Sequence, residues 1–324
     1  MINNITFSAC LIAKNEEKNI SKAINSLKQI CDQIIVIDTG STDKTSKIAS
    51  QLGCEVYFLE WKNDFSLARN FSLQFAKNQW IIILDADEEI DVNSLNENSN
   101  LFKNEKIGAI RVIINNYIHQ KNIIKQHKYP RIIRNIKGIK FQGKIHEQIS
   151  ESIIQKGYSI ADSNIIIHHY GYSQNNIEKI NRNLNLLNDE VANNTQDDWK
   201  KFHLAETLFT AKKFHEAQIY FQQIINSFQL SNEQNEMVKI RLAQIYISNN
   251  DFKPISELLQ FNSRNKSIEG LRKYILSSSF ILQKDFTKAK QIFDSIANDE
   301  KSLLNYQDLA QIQNLFDLIK KAQL

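Results

Sequence analysis

The chain has 324 residues, 42% hydrophobic and 23% charged, with 40 Lys+Arg against 36 Asp+Glu and a formal net charge of +4. This length suits about two domains and a core that needs no disulfide or structural metal. The low proline and glycine content excludes collagen-like and linker-like chains, and the mild charge gives no case for nucleic acid.

In chain order, Ile5–Ile12 is strand-like, and Ile20, Ala23, Ile24 and Leu27 then recur at helical spacing. Gln33–Ile37 is a short apolar strand ending in DTGSTDKT, where Ser41 or Thr42 is placed to cap a helix with Ile48, Ala49 and Leu52 inward. Val56–Leu59 reads as a third strand. Phe65–Lys77 reads as a third helix with Leu67, Ala68, Phe71 and Phe75 inward, and Trp80–Leu84 as a fourth strand ending in DADEE. The β-α-β-α-β-α-β order predicts a Rossmann-like parallel sheet covered by helices. An irregular β-rich stretch follows at Ala109–Asn115, Arg131–Arg134, Ile139–Phe141 and Asn164–His169.

Strand patterns stop near Gly171. Ile177–Val191 is helical, and then one pattern occurs three times: Leu204-Ala205, Leu208, Phe214, Ala217, Phe221; Leu242-Ala243, Tyr246, Phe252, Ile255, Leu259; Leu276-Ser277, Phe280, Phe286, Ala289, Phe293. The copies lie 38 and 34 residues apart, close to the tetratricopeptide period, with the extra residues expected in a loop around Phe228–Asn232. Leu303–Ile319 is expected to cap the array. The domains predicted are 1–172, a helical connector at 173–195, and tetratricopeptide-like repeats at 196–324.

No apolar run reaches the ~20 residues of a membrane helix, and the first residues lack a signal-peptide pattern. Cys10, Cys31 and Cys54 form no C-x-x-C pair and read as free thiols in a reducing cytoplasm.

Ligands of open parallel sheets bind beyond the carboxyl ends of the strands. The polar clusters fall there: AKNEE (Ala13–Glu17), DTGSTD (Asp38–Asp43), EWKNDFSLARN (Glu60–Asn70) and DADEE (Asp85–Glu89). Crowded carboxylates repel one another, and Asp85 and Asp87 at i,i+2 have the spacing to share a hard cation such as Mg²⁺ or Mn²⁺. There is no P-loop, no G-x-G-x-x-G, no H-E-x-x-H and no G-x-S-x-G motif.

With KNEE, DTGSTD, FSLARN and LDADE in this order, the chain resembles inverting GT-A glycosyltransferases of family 2. It is most similar to the SunS-like peptide glycosyltransferase branch, which modifies bacteriocins and carries C-terminal tetratricopeptide repeats. The resemblance covers about residues 5–172. It implies a GT-A catalytic domain followed by an all-α repeat domain, a UDP-sugar donor, and Mg²⁺ or Mn²⁺. It assigns Ala13, Asn15, Glu16 and Asp38 to the nucleoside, with Thr39 where many relatives carry a second Asp. Asp64 is expected near the ribose or donor sugar, and Arg69 near the diphosphate or holding Asp85. Asp85, Asp87 and His169 (of HHYGY) are the expected metal set, with His168 on the opposite strand face. Glu147 in FQGKIHEQI is the base candidate; the alternative is that it orients the acceptor or donor. Arg131 and Arg134 position the diphosphate, clasp the acceptor loop or form sheet-edge ion pairs. The acceptor is a peptide Cys, Ser or Thr, or else a cell-envelope glycan. The repeats suit a protein-binding surface or a homodimer contact. An inactive transferase–repeat scaffold is the remaining alternative.

Overall fold

The computed structural model describes residues 5–118, 122–170 and 177–322. Contacts divide the chain into two compact units, Met1–Asn176 and Ile177–Leu324. The predicted boundary at 172, and Gly171 and Tyr172 of HHYGY, lie outside the described residues.

The first unit is α/β. Its strands are β1 (Phe7–Ala13), β2 (Gln33–Asp38), β3 (Glu55–Phe58), β4 (Trp80–Asp85), β5 (Glu88–Ile90), β6 (Ile107–Ile118), β7 (Asn122–Arg134) and β8 (Ser159–His169). Helices α1 (Ile20–Leu27), α2 (Thr45–Gln51), α3 (Phe65–Leu73), α4 (Val92–Glu97) and α5 (Ser150–Gln155) connect them. The sheet order is β3-β2-β1-β4-β7-β6-β8-β5. The first four strands pair in parallel, as the βα alternation predicts. β7 then adds antiparallel to both β4 and β6, β6 pairs β8 in parallel, and β8 pairs β5 antiparallel. Covered on both faces, β1 is an almost continuous buried run rather than an alternating one. Its odd-numbered residues pack with α1, and Cys10 packs on the α3 and α5 side.

Several local expectations change. Neither Ser41 nor Thr42 caps α2; Asp43 Oδ1 instead accepts from the Thr45 N–H at 2.9 Å. The third helix ends at Leu73, and its buried residues are Ala68, Arg69 and Ser72, while Leu67 is 39% exposed. Ile139–Phe141 is a loop segment, and β6 and β7 pair antiparallel from Ala109/Ile133 to Ile118/Asn122.

The second unit is all-α: α6 (Ile177–Asn193), α7 (Asp198–Thr210), α8 (Phe214–Ile224), α9 (Asn232–Ser248), α10 (Ile255–Leu258), α11 (Lys266–Leu282), α12 (Phe286–Asp294) and α13 (Tyr306–Ala322). α6, expected as a connector, packs on α7 within this unit. The turns inside the pairs α7/α8, α9/α10 and α11/α12 are alike. Lys212, Asn250 and Lys284 take φ of 60, 58 and 64°. After them the N–H groups of Lys213, Asp251 and Asp285 each donate at 2.9 Å to a carbonyl five residues back, on Leu208, Tyr246 and Phe280. This is the left-handed helix stop that returns the chain on itself. Its recurrence at repeat-equivalent positions shows a helical-pair repeat. Gly270 lets α11 approach the 3₁₀ turn at 298–303, since a Cβ there would lie 2.0 Å from the Glu300 carbonyl oxygen. Among the described residues no helix is long and apolar enough to cross a membrane.

Candidate active site

The crevice begins where parallel strands end together. Ala13 pairs with Asp38 and Ile12 with Asp85. Asp38 is buried and accepts from the N–H groups of Gly40 and Ser41 at 3.0 and 2.8 Å. Gly40, at φ 101°, allows this tight turn. The Ala13 carbonyl accepts from the Thr39 N–H and hydroxyl. Asn15, at φ 57°, accepts through Oδ1 from the Thr42 N–H at 2.8 Å, and its own N–H donates to Ser41 Oγ. The Glu16 N–H donates to Thr45 Oγ1 at 2.7 Å. The four residues expected at the nucleoside thus lie on two loops laced together. Asp64 bonds to its own helix. It is the N-cap of α3, accepting from the Leu67 N–H at 2.9 Å and the Ser66 hydroxyl at 2.8 Å. That bond starts the helix that carries Arg69.

The centre of the site is a chain of alternating charge. Glu88 Oε1 is 3.0 Å from Arg131 Nη2, which lies 3.0 Å from Asp85 Oδ2. Asp85 Oδ1 is 2.5 Å from Arg69 Nη2, and Arg69 Nε donates to Glu147 Oε1 at 3.1 Å. Arg69 and Arg131 are both well buried. Burial opposes charge on each guanidinium, yet the adjacent carboxylates win and raise both pKa values. Burial likewise disfavours charge on Asp85, but Arg131 and Arg69 hold it far below the usual carboxylate range. Glu88 has a weaker balance: burial and the neighbouring Asp85 and Asp87 push it up to about 7, against the pull of Arg131.

Arg131 reaches this place through a bulge. Ile110 pairs with Ile132 but Arg111 pairs with Pro130, leaving Arg131 as the extra residue of β7. Bulges re-aim side chains in this way. Arg134, three residues on, donates to the carbonyls of Ile107 and Asn104 and stacks over Trp80 at 4.5 Å, so it holds the sheet and stays out of the charge chain. Glu147 is delivered by the loop at 136–149. Asn70 clamps Phe141 with bonds of 2.9 and 2.7 Å, the Phe65 N–H donates to the Lys144 carbonyl, and the Tyr129 hydroxyl donates to the Glu147 carbonyl.

The Asp-x-Asp pair does not converge. Asp85, expected to share the cation with Asp87, has both oxygens on guanidiniums, and Asp87 Oδ2 faces His169 Nε2 at 3.2 Å. His169 Nδ1 lies 2.7 Å from Asn116 Oδ1, while Asn116 Nδ2 faces His127. The amide oxygen therefore accepts the Nδ1 proton and leaves Nε2 directed at the carboxylate. The ring pKa is raised: burial lowers it, but the bond and charge of Asp87 outweigh that. One carboxylate oxygen and one imidazole nitrogen facing each other fit a divalent cation. Among the described residues no preformed group of three His, Cys, Asp or Glu ligands exists, so other positions would fall to water and diphosphate oxygens. His168 points away, with Nδ1 2.8 Å from the Tyr117 hydroxyl.

Sequence reading missed Glu88, Asn116 and Tyr129. Asn115 and Asn116, polar and buried inside an apolar strand, were the available signal.

The model of glycosyl transferase family 2 matches residues 8–168. The SPbeta prophage-derived glycosyltransferase SunS of Bacillus subtilis is 26% identical over 310 residues, covering 91% of this chain and 72% of that one. An uncharacterized glycosyltransferase of Rickettsia bellii is 30% identical over 204 residues, covering 60% and 69%. Among solved structures, S. aureus TarS 1-349 in complex with UDP-GlcNAc superposes with a TM-score of 0.42 at 14% identity, covering 94% of this chain and 92% of that one. The family model spans the strand-end loops that carry the charge chain, and on these sequence matches the chain belongs to glycosyl transferase family 2.

Proposed function

We propose that the protein is an inverting, metal-dependent transferase that moves a sugar from a UDP-sugar to a Cys, Ser or Thr side chain of a peptide, of bacteriocin type, or of a protein. One observation carries the reading: Asp85 and Glu147 grip the same Arg69 guanidinium, at 2.5 and 3.1 Å. The start of the metal motif and the base candidate are thereby held in one frame. The motif likeness to the SunS-like branch supports UDP as the carrier and a peptide as acceptor.

The laced loops of Ala13, Asn15, Glu16 and Asp38 take the nucleoside, with Asp64 supporting the donor side through α3. Asp87 and His169 would hold Mg²⁺ or Mn²⁺, with Asn116 fixing the imidazole and Asp85 orienting the turn. Such an ion, when bound, supplies positive charge that stabilises a departing diphosphate. Arg69 fixes Glu147 through Oε1; Oε2 has no partner among the described residues. That oxygen takes the proton from the acceptor hydroxyl or thiol as its O or S bonds to the anomeric carbon. The bond from that carbon to the diphosphate breaks on the opposite face, which inverts the centre. The helical repeats offer an extended surface for the acceptor polypeptide or for a second copy of the chain.

The test is UDP release and binding with UDP-glucose, UDP-N-acetylglucosamine and UDP-galactose, with and without Mn²⁺. Metal-dependent release with one preferred sugar is expected. Absence of binding to all three under both conditions would refute the reading.

A further inference from the structure

We propose that Glu88 is the positioning residue of the cation-binding pair and that it acts through Arg131; the inference rests on the function proposed above. Glu88 is 2% exposed, and its side chain bonds to both Asp85 and Arg131. Its backbone stands opposite His169 in the β5/β8 pairing. Its Oε2 accepts from the Asp85 N–H at 2.9 Å, which closes the turn over Ala86 and Asp87. Its Oε1 accepts from Arg131 Nη2, the same nitrogen that reaches Asp85 Oδ2. One side chain therefore closes the turn that carries Asp87 and supplies a second acceptor for the Arg131 nitrogen that reaches Asp85. Asp85 stays occupied by guanidinium, and Asp87 is left facing His169.

A buried carboxylate is a poor choice if shape alone is required, because apolar packing does as well without desolvation. Here the two carboxylate oxygens each have a task. Arg131 is the bulged residue of its strand and has no ladder pairing to hold it, so Glu88 and Asp85 together set where its guanidinium points. With glutamine at 88, a single amide oxygen cannot accept from both the Asp85 N–H and Arg131 Nη2, so one of the two bonds is lost. The turn then loses its fixed geometry, and Asp87 its aim at His169. Partners of this kind tune metal affinity by ~10- to 100-fold.

The experiment titrates UDP by calorimetry in saturating Mn²⁺ and again in EDTA, with the wild-type chain, Glu88→Gln, Arg131→Lys and the double variant. Expected for Glu88→Gln is a loss of ~10-fold or more in Mn²⁺ and none in EDTA. The double variant should be no weaker than the worse single, because both changes break one link. Wild-type affinity in a folded Glu88→Gln chain would overturn the inference. So would an equal loss in EDTA, which marks a general collapse of the crevice, or additive losses in the double variant. If Glu88→Gln does not fold, Arg131→Lys alone must show the Mn²⁺-specific loss, and unchanged binding there overturns the inference. A wild-type chain without Mn²⁺-dependent UDP binding would refute the proposed function itself. Mn²⁺-dependent binding that Glu88→Gln fully retains would sink this inference and leave that function standing.

Discussion

β1, β2 and β4 run parallel and bring their polar residues to one end, where the register sets Ala13 beside Asp38 and Ile12 beside Asp85. β6, β7 and β8 work differently. Asn116 lies within β6 opposite His169 of β8, and Arg131 is the bulged residue of β7. In the parallel half, topology alone gathers the site, because every strand exits on the same edge. In the mixed half, single positions aim each side chain: a bulge in the antiparallel β6/β7 pairing for Arg131, and the parallel β6/β8 register for Asn116 and His169. The candidate site needs both: Asp85 and Asp87 come from the first half, and their partners Arg131 and His169 from the second.

The largest expected effect tests whether the halves act together on the chemistry. Glu147→Gln should lower turnover by ~10²-fold or more with donor affinity within about twofold, read by steady-state kinetics beside calorimetry. Unchanged turnover would remove Glu147 as the base. Next, Asn116→Ala should weaken Mn²⁺-dependent UDP binding by ~10-fold while binding in EDTA holds, since it removes the amide oxygen that orients His169. Gly270→Ala asks whether the second unit can be damaged separately. The new Cβ forces α11 away from the Glu300 carbonyl, and a loss of ~1–3 kcal/mol in that unit's unfolding is expected, with UDP affinity unaltered. The smallest effect sharpens the contrast between two arginines of one strand. Arg134→Ala should cost ~1 kcal/mol of stability through its lost carbonyl bonds and leave Mn²⁺-dependent binding intact.

The same contrast explains what could be read from the residues. The parallel half was legible because continuous apolar runs and polar exits are local patterns: β1, β2 and β4 lie where Ile5–Ile12, Gln33–Ile37 and Trp80–Leu84 place them. Arg69 was legible as a motif residue but not as part of a buried helix face. Its burial is stabilised by Asp85 and Glu147, which are distant in sequence, and periodicity gave that face to Leu67 instead. Asp43 displaced Ser41 and Thr42 at the start of α2 because those two side chains lie against Asn15 in the other loop. Arg131 and Arg134 look alike in PRIIRN, and only the bulge separates their tasks. The helical repeats were legible from spacing alone, since each pair meets its own turn and neighbour.

The most direct measurement of the central claim is UDP binding in Mn²⁺ and in EDTA by the wild-type chain and by His169→Ala. If the two halves of the sheet build one cation site, Mn²⁺ strengthens UDP binding in the wild type and His169→Ala loses ~10-fold or more of that gain, with binding in EDTA unchanged. Equal Mn²⁺ enhancement in both proteins would contradict it.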